Sequence, residues 1–100
     1  MVISDVDEFA RISLKRSVYK AARLKLGNTI RSLRKAQGVS QESFAQRADI
    51  ERARYGKIER GELNISIHVL FQLAHQLNVS PADLLGDIRP KDCLPSENDL

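Results

Sequence analysis

The sequence predicts a small all-α domain, and three observations carry that prediction. Apolar residues recur at three- and four-residue intervals along most of the chain. No stretch alternates with the two-residue period of a strand. Most apolar runs open on a serine and close on a glycine or asparagine, the residue types that start and stop helices. One hundred residues suffice for a single modest core. With 42% apolar content but only 5% aromatic and no Trp, that core must be built of Leu, Ile, Val and Ala, which helices supply readily.

The first helix is expected over residues 5 to 24. Ser4 can cap it, and Asp5, Asp7 and Glu8 fall in the first turn, where the helix dipole favours negative charge. Val6, Ala10, Leu14, Val18 and Ala22 then recur every four residues. Gly27 and Asn28 are candidate break points before a second run, in which Leu26, Ile30 and Leu33 carry the spacing to Ala36 and Gly38 stops it. Ser40 caps a helix of barely two turns with Phe44, Ala45 and Ala48 inward, Val39 stapled on Phe44, and Asp49 at its end. The next helix starts near Glu51 and ends at Gly61, with Tyr55 and Ile58 inward. Ser66 caps a longer helix whose Ile67, Leu70, Leu73, Ala74 and Leu77 line one face, while Val69 and Phe71 lie off that stripe and Asn78 suits a left-handed exit. "VSPADLLG" is a compact last helix: Ser80 as cap, Pro81 at the first helical position, Asp83 three residues past the cap and Gly86 as terminator. Residues 88 to 100, with Pro90, Pro95 and little apolar content, read as a mobile tail. The expected organisation is a helical extension over 1–25, one domain over 26–86 and a tail over 87–100.

The net charge of +3 conceals an asymmetry. Between Phe9 and Gln41 there are nine Arg or Lys and no acid. Residues 11 to 60 hold fourteen basic residues against Glu42, Asp49, Glu51 and Glu59, a net +10. Within that span, "IERARYGKIERGELN" (residues 50 to 64) places Arg52, Arg54, Lys57 and Arg60 on one short segment. So concentrated a field suits a polyanion, and nucleic acid is the commonest.

Other classes are disfavoured. No apolar run approaches bilayer length, and acids rather than bases lead the chain, so a soluble, unexported, cytoplasmic protein without membrane contact is expected. Cys93 stands alone, so no internal disulfide can form. His68 and His75 share a helix face but lack a third ligand, so no metal site is expected. Ser and Thr mostly sit at caps and no Gly-rich phosphate loop exists, so neither catalysis nor a cofactor is expected. One hundred residues leave no room for a second domain beside this core, so no small-molecule effector is expected.

Two short helices joined by a tight turn at residues 48 to 51, the second loaded with Arg and Lys, have the sequence form of a helix-turn-helix. Ala45 must be small where the second helix crosses it. Tyr55 and Ile58 anchor that helix from beneath, which puts Arg52, Ala53, Gly56 and Lys57 on the outward side, able to enter a major groove. Residues 26 to 85 carry I-R-x-L-R, S-Q-E-x-x-A, I-E-R-G, L-x-x-L-A-x-x-L and V-S-P-x-x-L-L in that order. This region resembles the Cro/CI-type (XRE) helix-turn-helix family, with its lambda-repressor-like five-helix fold. The chain is similar to stand-alone small regulators, including restriction-modification controller proteins.

The resemblance implies a transcriptional regulator of double-stranded DNA: a five-helix domain with an additional N-terminal helix and a flexible C-terminal tail. It implies that Gln41 binds backbone phosphate and that Arg52, Ala53 and Lys57 read base edges. Arg52 is the best candidate for a two-pronged contact to guanine. Arg54 and Gly56 belong to the same DNA-binding helix, and Arg60 and Asn64 match positions near the sugar-phosphate backbone. Arg34 and Glu59 match an ion pair joining the first helix to the recognition helix. The chain departs from the family's pattern at Asp49, Glu51, Tyr55, Gly56 and Ile65. A lone domain of this kind covers too little DNA to be selective, so a homodimer on a palindromic operator is expected. Its dimer surface would come from the last two helices, the N-terminal helix or both. The alternative is an antitoxin-like or adaptor protein whose main role is binding another protein.

Overall fold

The computed structural model describes residues 19–94. These residues form the expected all-α fold. Its elements are α1 (Lys20–Ala36), α2 (Gln41–Arg47), α3 (Arg52–Glu59), α4 (Ile67–Leu77), α5 (Pro81–Leu85) and a 3₁₀ turn (Pro90–Cys93). Most of the helix expected over residues 5 to 24 lies outside the described residues. Its end coincides with the start of α1, which is preceded by Tyr19 in a left-handed conformation (φ 67°). The helix then runs through Gly27 and Asn28 without a break.

Side-chain caps set three helix starts. The hydroxyls of Ser40, Ser66 and Ser80 each accept a hydrogen bond, at 3.1 Å, from the backbone N–H of Ser43, Val69 and Asp83. The Asp83 carboxylate accepts from the Ser80 N–H in return at 2.9 Å, completing a capping box. Each such cap is worth about 1 kcal/mol. At α3 the cap position holds Glu51, whose side chain makes no capping bond. The turn between α2 and α3 passes through Asp49 in the left-handed region (φ 57°), and Asn78 leaves α4 with the same φ.

Ile30, Phe44, Tyr55, Leu73 and Leu84 are the largest fully buried side chains, so every α-helix contributes one. The Phe44 and Tyr55 rings pack with centroids 5.1 Å apart, joining α2 to α3. The face of α4 differs from the expected stripe. Val69 is buried and Ile67, expected inward, is 68% exposed. At about 100° per residue, Ile67 lies roughly 90° from the centre of the face formed by Val69, Leu73, Ala74 and Leu77. A row spaced by threes and fours drifts around the axis, and its first member falls off the edge.

Part of the expected tail is folded. The 3₁₀ turn packs against α1 with Asp92 buried. The Lys25 ammonium lies 2.9 Å from the Asp92 carboxylate and donates to the Asp87 carbonyl at 3.2 Å. Residues 95–100 lie outside the described residues.

Candidate nucleic-acid interface

α2 and α3 owe their close crossing to small and buried residues. Ala45 is buried, and its carbonyl accepts the Ile50 N–H at 2.9 Å, which closes the turn between the two helices. Tyr55, Ile58 and Glu59 form the buried underside of α3, while Arg52, Ala53, Arg54 and Lys57 are exposed. With helical spacing, Ala53 and Lys57 stand opposite that underside and Arg52 and Arg54 flank them. None of the three cations forms an ion pair among the described residues.

Two glycines bring α1 hard against the end of α3. A Cβ on Gly27 would lie inside the contact radius of the Glu59 carbonyl oxygen and 2.7 Å from that of Ile58. Gly27, read from the sequence as a break point, is therefore a close-approach residue in mid-helix. Gly61 adopts a left-handed conformation (φ 72°), and a Cβ there would meet the Leu24 backbone at 2.9 Å.

The underside of α3 is held by one carboxylate. Glu59 receives the Arg34 Nε at 2.6 Å and Nη2 at 3.2 Å, the Gln41 Nε2 at 2.8 Å, and the Tyr55 hydroxyl. The remaining Arg34 nitrogen donates to the Val39 carbonyl at 2.8 Å. Side chains of α1, α2 and α3 thus meet at a single buried anion. Burial works to raise the Glu59 pKa, but hydrogen bonds from Arg34, Tyr55 and Gln41, with the Arg34 charge, outweigh it and hold the carboxyl below its ordinary range. For Tyr55, burial and then the bond to Glu59 push the phenol well above its ordinary value, so it stays a donor.

The remaining predicted site residues have partners within the fold. Gln41 is half-buried, its amide turned toward Glu59. Gly56, expected on the outward side, is buried instead, because the Arg60 guanidinium lies back over it. Arg60 also forks onto Glu62, Nε to Oε1 and Nη2 to Oε2, each at 3.2 Å. The Asn64 side chain accepts from Arg23 Nη1 at 3.2 Å, and Arg23 Nε donates to the Gly61 carbonyl at 3.1 Å. Sequence reasoning missed Arg23 and Glu62 as neighbours of the site. The signal for Glu62 was its spacing two residues after Arg60, across a glycine turn. Arg23 lies 41 residues from Asn64, and no local pattern could join them.

A short helix seated on a buried ion pair, with its cations turned to solvent and a second helix crossing its start, defines a helix-turn-helix domain. The chain matches the helix-turn-helix family HTH_3 over residues 30–84 and belongs to it. It is a DNA-binding transcriptional regulator. The control protein C.MunI of a Mycoplasma species is 36% identical over 67 residues, 66% of this chain and 90% of that protein. The control protein C.SmaI of Serratia marcescens is 37% identical over 60 residues, 60% of this chain and 71% of that one. Among solved structures, the restriction-modification controller protein C.AhdI from Aeromonas hydrophila superposes with a TM-score of 0.59 at 38% identity, covering 61% of this chain and 92% of that chain. The clp gene regulator ClgR from C. glutamicum gives 0.62 at 31% identity, covering 64% of this chain and 82% of that chain. Among the described residues, no helix is long and apolar enough to cross a membrane.

Proposed function

We propose that the protein is a sequence-specific regulator of the controller type, which binds a palindromic operator as a homodimer and reads base edges from α3. One observation carries this reading: Arg52, Ala53, Arg54 and Lys57 are all exposed on a helix whose other side is locked by Tyr55, Ile58 and the Arg34–Glu59 pair. A rigid mount matters because base readout needs side chains held at fixed angles in the groove. The relatives named as control proteins support the regulatory role.

In this reading Arg52 reads guanine with its fork, Lys57 and Arg54 add contacts along the groove, and Ala53 leaves room for a base edge. Arg60 and Asn64 meet the sugar-phosphate backbone beyond the helix. Gln41 spends one amide hydrogen on Glu59 and keeps the other for a phosphate. A second copy supplies the other half-site. Ile67 and Phe71, exposed and four residues apart on one side of α4, offer the apolar surface it would cover.

Selection from a pool of random duplexes tests the whole reading. The expected product is a two-fold symmetric site with half-sites about one helical turn apart. Recovery of no preferred sequence, or of one without symmetry, counts against it. Arg52→Ala is expected to relax preference at one base pair per half-site by about 1–3 kcal/mol, whereas Gln41→Ala weakens every sequence alike. An equal loss from both variants on every duplex refutes this division of roles.

A further inference from the structure

We infer that Glu62 tunes DNA affinity by competing with a backbone phosphate for the Arg60 guanidinium. The inference rests on the proposal that Arg60 meets the DNA backbone. Both Glu62 carboxylate oxygens accept from Arg60, through Nε and Nη2 at 3.2 Å each. This is the two-pronged geometry in which a guanidinium holds a phosphate. The third nitrogen, Nη1, is directed over Gly56, 3.0 Å from where a Cβ would stand, and the Gln41 Oε1 is 3.9 Å from the same point. Arg60 therefore lies close over Gly56, with its fork already filled by an anion from its own chain.

Exposure makes the arrangement a competition rather than a block. The Arg60 and Glu62 side chains are 56% and 51% exposed. Such a pair gains little in water, so an incoming phosphate can displace the carboxylate. Displacement still takes something from binding, because one attraction must be given up to form the other. The effect belongs to the phosphate contact, so it falls equally on cognate and scrambled DNA.

The test is a double-mutant cycle by fluorescence anisotropy, using the full chain, the duplex it selects and a scrambled duplex. Glu62→Gln is expected to tighten binding to both duplexes by about two- to fivefold, the range open to an exposed pair. Arg60→Gln is expected to weaken both and to reduce the slope of log affinity against log salt by about one. In the Arg60→Gln background the gain from Glu62→Gln should vanish. No gain from Glu62→Gln, or the same gain without Arg60, overturns the inference, the latter because it marks a general effect of one fewer negative charge. If Arg60→Gln changes neither affinity nor salt slope, the backbone role of Arg60 fails first. Matched thermal melts of all four proteins keep folding separate from binding.

Discussion

Tyr55 carries a hydroxyl where the family resemblance implies an aliphatic anchor, and that hydroxyl is one of the donors satisfying Glu59. Removing it leaves the ring packed on Phe44 but takes a hydrogen bond from a buried charge. Tyr55→Phe should therefore lower unfolding free energy by about 1.5–3 kcal/mol in urea titrations. Glu59→Gln is expected to cost more, about 3–5 kcal/mol, because it strands the buried Arg34 guanidinium without a counter-charge. The same carboxylate makes stability depend on pH. Its folded pKa lies below the ordinary 4.5, so the unfolded chain takes up its proton first as acid is added. The contribution is present above that ordinary value and is lost as pH falls from there through the lower folded one. Urea midpoints of the wild type should drop across this window, and those of Glu59→Gln should drop less. Equal acid dependence in the two proteins would mean that another group dominates. The family resemblance implied the Arg34–Glu59 pairing, and the phenol's reach to Glu59 follows from their i, i+4 spacing on α3. What no local spacing encodes is that Arg34 of α1 and Gln41 of α2 meet the same carboxylate.

Glycines within helices show how far elements can be read from sequence. Gly27 and Gly56 both sit mid-helix, and propensity alone says that Ala at either position should stabilise by about 1 kcal/mol. Their surroundings decide otherwise. A Cβ at Gly27 strikes the backbone carbonyls at the end of α3, which cannot move aside without separating the two helices. Gly27→Ala should thus lower the melting temperature sharply. At Gly56 the nearest atom is the tip of the Arg60 side chain, which can swing away. Gly56→Ala should then raise the melting temperature, and a drop would mean that Arg60 is pinned. The helix starts at Ser40, Ser66 and Ser80 were legible because caps act between residues three apart. The turn at residues 90–93 was not, since it depends on Lys25 far back in the chain. Asp92 there is held below its ordinary pKa by the Arg89 N–H and then by the Lys25 ammonium. Acid below the ordinary aspartate value should release this turn from α1, visible as faster amide exchange at Asp92. The face of α4 was legible only to within one residue row, which is enough to move Ile67 from core to solvent.

At the scale of the whole molecule, the proposed reading needs a cationic face and an apolar one, and α3 and α4 can supply them separately. In the proposed reading the exposed cations of α3, which form no ion pair among the described residues, meet DNA, while the exposed Ile67 and Phe71 on α4 leave apolar surface for a second copy. The sequence announced the first, because a run of basic residues on a short helix is visible directly. It showed only half of the second: Phe71 lay off the expected core stripe of α4 and is exposed, whereas Ile67 was expected inward and is exposed too. If the α4 face joins two copies, replacing both exposed residues with Glu places like charges across the two-fold axis and should yield a folded monomer by sedimentation. That monomer should keep the affinity of a single half-site, because α3 is untouched. It should lose the extra affinity of the full site, where the second half-site is engaged at high effective concentration, a gain on the order of 10²–10⁴. A variant that stays dimeric moves the interface elsewhere on the chain. A wild type that is monomeric at micromolar concentration with and without its selected duplex removes the homodimer altogether. Loss of affinity for one isolated half-site would show that α4 acts on DNA binding through the fold rather than through a partner.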